Sequence, residues 1–264
     1  MLEISGAVAV ITGGGSGIGE TVAKHWVKNG GKVVLADMAI EQLRRVEKDI
    51  GEMGGEVAVT ACDVTREEDN HALARLAVEK FGAINLIVPC AGIIKDGLML
   101  AIDRETGKVE GKMSREQFQA VLDVNLTGAF LTVRECAEQM INLSCRGLIC
   151  LISSTGSLGT AGQLNYSSSK AAMSVMPRVL TAEFFRRDIA GRVRCVAVAP
   201  GYVATSMVKG MNQKALDRIL EQVPIGRLVE PEEVASLIGE LYRNEACAGE
   251  VFYIHGGLHL GSRG

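Results

Sequence analysis

Aromatic side chains make up only 4% of the 264 residues, so the interior has to be built from smaller groups. Aliphatic residues with 31 glycines suit a tightly packed parallel sheet covered by helices. No stretch approaches the roughly 18–20 consecutive apolar residues that a membrane-spanning helix needs. No basic leader precedes the first strand-like run, Ala7–Thr12. The expectation is a soluble, cytoplasmic protein without a membrane partner. Charge of one sign is also missing: the net charge is −3, with a pI of about 5.9. That leaves no electrostatic footprint for nucleic acid. Seven cysteines (62, 90, 136, 145, 150, 195 and 247) contain no Cys-x-x-Cys pair. Several lie inside apolar runs, which reads as buried free thiols in a reducing compartment. His255 and His259 have ligand-like spacing but no acid or thiolate cluster beside them, so no metal is expected.

What is present alternates short β-branched runs with longer amphipathic ones, the pattern of βαβ units. Strands are expected at Ala7–Thr12, Lys32–Ala36, Glu56–Ala61, Ile84–Val88, Gly147–Ile152, Val193–Ala199 and Glu250–Ile254. Helices are expected after the first glycine cluster to about Asn29, and over Ile40–Met53. Thr65 reads as the cap of a helix to Phe81, with Glu68 completing a capping box. Ser114 reads as the cap of one long helix through about Ile141, and Pro231 as the opening of another. Between them, Asp103 to Lys112 is charged and glycine-punctuated, an exposed loop or short hairpin that either is a solvated insertion or edges the substrate site. No linker or repeat interrupts the chain, so residues 1–264 are expected to form one domain, an α/β doubly wound Rossmann-type parallel sheet of about seven strands.

Two stretches carry chemistry. Thr12-Gly13-Gly14-Gly15-Ser16-Gly17-Ile18-Gly19 follows the first strand and opens the first helix. Glycines there let the backbone approach a pyrophosphate, and the helix N-terminus offers unpaired N–H groups. Asp37, eighteen residues past Gly19, ends the second strand. A carboxylate at that place accepts hydrogen bonds from ribose hydroxyls and repels a 2′-phosphate. No Arg or Lys occurs from Ala36 to Leu43, so NAD(H) is expected over NADP(H). Asp63-Val64 and Cys90-Ala91-Gly92 close the third and fourth strands and are further cofactor-binding candidates. The second stretch is Asn165-Tyr166-Ser-Ser-Ser-Lys170. On a helix Tyr166 and Lys170 share a face. A phenol titrates near ~10, and a fixed cation beside it is expected to pull that value down.

Together these residues resemble the short-chain dehydrogenase/reductase family over nearly the whole chain. The match comprises Thr12-Gly-x-x-x-Gly-x-Gly19, Asp63, Ala91-Gly92, Asn125, Ser153, Tyr166-x-x-x-Lys170 and Pro200-Gly201, with a thirteen-residue step from Ser153 to Tyr166. The resemblance implies pyridine-nucleotide oxidoreduction of an alcohol or ketone and a homotetramer. It implies Tyr166 as general acid/base and Lys170 as its electrostatic partner and nicotinamide-ribose ligand. Ser153 would be the ligand of the substrate oxygen and Asn125 the anchor of a relay water. Ser154 and Ser157 are rival serines that the spacing disfavours. Gly13, Ser16, Gly17, Ile18, Gly19, Pro200, Gly201, Val203 and Thr205 would complete the cofactor contacts, and Ser206 to about Val223 would form a substrate lid. Pro89-Cys90 departs from the paired asparagines of many members, and Pro89 removes a backbone donor. The C-terminal third is similar to 3-oxoacyl-[acyl-carrier-protein] reductases. Cys90 with the 103–112 insertion is similar to type 2 3-hydroxyacyl-CoA dehydrogenases. Both imply a 3-oxo/3-hydroxyacyl thioester, on CoA or a carrier protein; a steroid, sugar or small secondary alcohol stays open, as does an inert NAD-binding subunit.

Overall fold

The computed structural model describes residues 1–205, 208 and 212–258. Nine strands and eight α-helices are placed among them. They run β1 (Val8–Thr12), α1 (Gly17–Lys28), β2 (Lys32–Asp37), α2 (Ile40–Glu52), β3 (Val57–Ala61), α3 (Glu67–Phe81), β4 (Leu86–Pro89), β5 (Leu100–Ile102) and β6 (Val109–Lys112). There follow α4 (Arg115–Leu122), a π-helical segment (Asp123–Gly128), α5 (Ala129–Asn142), β7 (Gly147–Ile152), α6 (Leu164–Arg186), β8 (Val193–Pro200), α7 (Gln213–Leu220), α8 (Pro231–Arg243) and β9 (Val251–Ile254). Seven strands pair in the order β3-β2-β1-β4-β7-β8-β9, all parallel. This is the doubly wound sheet expected from the alternation of elements.

Side chains of a strand point alternately to opposite faces, and here both faces are covered. Ala9 and Ile11 of β1 pack with α1, α2 and α8, while Val8 and Val10 pack with α3, α5 and α6. The single tryptophan, Trp26, lies 1% exposed on the first face, donates to the Ala7 carbonyl at 3.0 Å and meets Tyr242 edge-to-face. The strand order turns around between β1 and β4, and the crevice outside the carboxyl ends of such strands is where this class of sheet accepts ligands.

Two local expectations are corrected, the Thr65 cap and the single long helix from Ser114. The Thr65 hydroxyl does not cap α3: it donates to Asp63 Oδ1 at 2.7 Å, and the helix starts after Arg66 without a side-chain cap. A capping box exists instead at α8, between Glu230 and Glu233, one residue before the proline that marked the helix. Ser114 does cap a helix, accepting from the Gln117 amide at 3.0 Å. That helix, however, loosens into the π-helical segment before α5. The 103–112 stretch resolves into the antiparallel β5–β6 hairpin, separate from the main sheet.

Candidate functional site

The glycine turn is built by close approach. A Cβ on Gly19 would lie 2.2 Å from the Gly13 carbonyl oxygen, and one on Gly13 would meet the Ala91 amide at 2.8 Å. Gly13 also takes φ +65°, a left-handed conformation that favours glycine. Asp37 braces the turn from outside: its carboxylate accepts from the Gly15 amide at 3.1 Å and from Ala39 at 3.0 Å. Around this turn lies a cavity of about 380 Å³ lined by Ser16, Gly17, Ile18, Asp37, Asp63 and Val64, among others. Asp63 is aimed by Thr65, whose hydroxyl and amide both donate to Oδ1 and hold the carboxyl below the usual range. Cys90 and Gly92 form part of the wall between this cavity and the next, while Ala91 lines the first alone.

The adjoining cavity, of about 320 Å³, holds Tyr166 and Lys170, and shares Ile18, Cys90, Gly92, Ile93 and Thr205 with the first. Pro200, Gly201 and Val203 close its far side. Pairing with Val229 uses Tyr202 O and Ala204 N, so the Val203 amide faces the other way. Residues 206, 207 and 209–211 of the expected lid, and His259, lie outside the described residues; Val208 lines the cavity.

Tyr166 and Lys170 do share a face of α6, with the Lys170 ammonium 5.7 Å from the tyrosine ring centre. The expected effect on the phenol is corrected. Burial pushes the Tyr166 phenol up, and Asp96 and Cys90 add to the rise. The Lys170 side chain is itself buried, donates to the Ile152 carbonyl at 2.8 Å, and has its pKa lowered by burial to about 8. Low dielectric disfavours both charged forms. Ser154 supplies the opposing influence, a hydrogen bond that lowers the tyrosine.

The two neighbouring serines face different ways. The Ser153 hydroxyl is 2.9 Å from the Lys170 carbonyl and 2.7 Å from Ser174 Oγ, turned into α6. Ser154, the next residue, faces the phenol. Successive residues leaving a strand point to opposite sides, so a step counted in residues picks one side and the geometry the other. Asn125 is buried and its amide is committed: Oδ1 accepts from the Ile93 amide at 2.8 Å and Nδ2 donates to the Ile93 carbonyl at 3.0 Å. It fixes a wall of the cavity, and the irregular π-helical backbone is what brings it there. Unforeseen from the sequence is a polar lock on the first turn of α6. Asn165 accepts from the Tyr166 amide and donates to Lys95 O at 2.9 Å, while Gln117 donates to Lys95 O and Asp96 O. Amides at these places had no spacing signal, because their partners are backbone carbonyls of a distant loop.

A family profile described as Enoyl-(Acyl carrier protein) reductase matches residues 13–259. The chain belongs to the short-chain dehydrogenase/reductase family. It is 32% identical over 260 residues to the 3-oxoacyl-[acyl-carrier-protein] reductase of Thermotoga maritima, covering 97% of this chain and 99% of that one. It is 31% identical over 273 residues to the human (3R)-3-hydroxyacyl-CoA dehydrogenase, covering 98% and 97%. A solved short-chain dehydrogenase/reductase from Brucella melitensis, titled a glucose/ribitol dehydrogenase, superposes with a TM-score of 0.85 at 26% identity, covering 98% of this chain and 99% of that one. Members of this family are oxidoreductases of CH–OH groups that bind nicotinamide cofactors. No helix among the described residues is long and apolar enough to cross a membrane.

Proposed function

We propose that this chain interconverts a secondary alcohol and a ketone with NAD(H), acting on a 3-hydroxyacyl/3-oxoacyl thioester of CoA or a carrier protein. The observation that carries the reading is one cavity wall, Cys90 and Gly92, shared between a glycine cradle and a cluster of half-buried Tyr166 and Ser154 with buried Lys170. The cradle fits a dinucleotide, because side chains at Gly13 and Gly19 would collide with backbone. Gly13, Ser16, Gly17, Ile18 and Gly19 would hold the pyrophosphate, Asp37 the adenosine ribose, and Asp63 and Val64 the adenine. Cys90, Ala91, Gly92, Pro200, Gly201, Val203 and Thr205, with Tyr166 and Lys170, would hold the nicotinamide half. The cofactor supplies or accepts the hydride.

The chain's own part is the proton and the charge. With its pKa raised by burial, Tyr166 stays protonated at neutral pH and can give that proton to a carbonyl oxygen. Ser154 offers a second hydrogen bond to the same oxygen as charge develops. Lys170, still largely protonated at neutral pH with a pKa of about 8, then stabilises the phenolate left behind. Ser153 and Asn125 act as positioning residues, one holding α6 and the other Ile93.

The substrate end favours an acyl group over a polyol. Ile93, Ile94, Ile152, Val203 and Val208 line it, and no carboxylate is among the described lining residues. Asp37 supports NAD over NADP, since a carboxylate there repels a 2′-phosphate. We also propose a homotetramer, for which Phe130 of α5 and Val175, Val179 and Phe185 of α6 offer exposed apolar surface. The test is NADH oxidation with acetoacetyl-CoA, run beside NADPH and beside Tyr166→Phe. Turnover that favours NADH and needs Tyr166 is the expected result. A preference for NADPH would overturn the role of Asp37, and NADH binding without turnover would overturn the thioester.

A further inference from the structure

A cation that touches the glycine turn is hidden in the sequence, because it lies on α2, two residues beyond the stretch from Ala36 to Leu43 that lacks Lys and Arg. Arg45 Nη2 donates to the Gly15 carbonyl at 3.1 Å. Gly15 is the same residue whose amide is held by Asp37 at 3.1 Å. One peptide residue therefore has a carboxylate on its N–H and a guanidinium on its carbonyl. Asp37 faces the cavity of the turn, along with Gln42 from the first turn of α2. A guanidinium at this place is the group best shaped to grip a phosphate through two parallel hydrogen bonds.

Arg45 is not free to do so. Glu20, in the first turn of α1, accepts from Nη1 at 2.9 Å through Oε1 and from Nη2 at 2.5 Å through Oε2. This is a two-pronged pair on a carboxylate that is itself largely shielded, 17% exposed. Asp49 adds a longer contact at 3.5 Å, and Lys24 ties Glu20 and Asp49 together at 2.8 Å each. The neighbouring Arg44 is 67% exposed, with only a 3.9 Å contact to Glu41.

We propose that cofactor choice in this chain rests on two carboxylates rather than one: Asp37 repels a 2′-phosphate, and Glu20 occupies the Arg45 guanidinium that would otherwise attract it. The inference rests on the dinucleotide reading of the glycine turn and deepens its NAD preference. It makes Glu20 and Arg45 specificity-determining residues at a distance from the hydride-transfer end. Asp37→Ser alone is then expected to be an incomplete switch, since it removes the repulsion and leaves the attraction masked.

The experiment is the dissociation constant of NAD⁺ and of NADP⁺, measured by calorimetry on the full chain without substrate. Asp37→Ser should tighten NADP⁺ modestly, and adding Glu20→Gln should tighten it by about a further tenfold, the scale of one charge-assisted bond gained. Adding Arg45→Met to that pair should abolish the second gain, while NAD⁺ changes little across the last two steps. The second gain should shrink with added salt. If Glu20→Gln disturbs the fold, Glu20→Asp draws the carboxylate back from the guanidinium while keeping a charge near Lys24, and the same direction is expected. NADP⁺ binding indifferent to Arg45→Met in the Asp37→Ser/Glu20→Gln background would overturn the inference and leave the cofactor reading standing. Absence of binding for both nucleotides in the unaltered chain would overturn both.

Discussion

The two cavities differ in what determines them. At the nucleotide end the decisive contacts are steric and involve backbone: Gly19 against Gly13 O, and Gly13 against Ala91 N. At the Tyr166 end they are directional and involve side chains: a serine facing a phenol, an ammonium on a carbonyl, an amide bracketing Ile93. Backbone contact tolerates one residue type and so leaves a mark in the sequence. Directional contact depends on which way a side chain points, and several residue types at neighbouring positions could supply it. Substitutions at the two ends should therefore fail differently, the first by losing structure and the second by losing chemistry in an intact fold.

The largest effect is expected at the directional end. Tyr166→Phe keeps the ring and removes the exchangeable proton, so kcat should fall by between about 10²- and 10⁴-fold. Unfolding temperature should stay near that of the unaltered protein, and nucleotide affinity should fall by no more than about two- to tenfold, the scale of the one hydrogen bond the phenol would give the nicotinamide half. A comparable loss of nucleotide binding would mean that the phenol is structural, and the contrast between the ends would collapse.

Next comes the choice of serine. Ser154→Ala is expected to cost about 10²-fold in kcat/KM, the scale of one lost donor to a developing oxyanion. Ser153→Ala removes a neutral hydrogen bond to α6 and should cost about 1 kcal/mol of stability with a small change in rate. The pH profile separates them further. Ser154 lowers the Tyr166 pKa, so its loss raises that pKa. Alcohol oxidation needs the phenolate, and its rising alkaline limb should therefore move to higher pH in Ser154→Ala and stay put in Ser153→Ala. The reverse pattern would restore the serine that spacing favours.

At the nucleotide end, Gly19→Ala sets a methyl group against a carbonyl oxygen with backbone on both sides. Overpacking of that kind costs ~1–3 kcal/mol. For a chain of this size each kcal/mol lowers the unfolding temperature by about 2–4 °C. The expected signature is a lower Tm together with lost NAD⁺ affinity, which calorimetry reads in one titration series. A protein of unchanged stability that merely binds nucleotide less well would show that the turn can yield.

Much of the fold was legible because strands buried on both faces are apolar along their length, as β7 is and as β8 is apart from Arg194, whose buried guanidinium is taken up by the carbonyls of Leu241, Tyr242, Asn244 and Cys247. The first glycine turn and the Tyr166–Lys170 face were legible for the steric and helical reasons above. The direction of the tyrosine's pKa was not, because one adjacent cation is visible in a sequence while the dielectric around it is not. Arg45 leaves no mark at the end of the second strand, because α2 folds back and it is the helix's second turn that reaches the glycine turn. The π-helical segment has no sequence mark either, since Asp123 to Gly128 continues an unbroken helical pattern and only the placing of Asn125 against Ile93 reveals it.

The smallest expected effect is at Thr65, and it discriminates between two uses of one hydroxyl. A threonine that capped α3 would cost about 1 kcal/mol when lost. In the structure the hydroxyl donates to Asp63 Oδ1, beside a second donation from the Thr65 amide at 3.0 Å. Thr65→Val should therefore leave the free energy of unfolding within about 0.5 kcal/mol of the original. What it should change is Asp63: with the first of its two stabilising donors gone, the carboxyl pKa rises toward the ordinary value and the group is less firmly aimed into the cavity. NAD⁺ affinity is expected to weaken by a factor of about two to five, within the range of one neutral hydrogen bond. Because the carboxylate is the accepting form, that deficit should widen as pH falls through the raised Asp63 pKa, while well above it only the part due to lost aim remains. A stability loss with unaltered affinity would return Thr65 to the helix and leave Asp63 as a bystander.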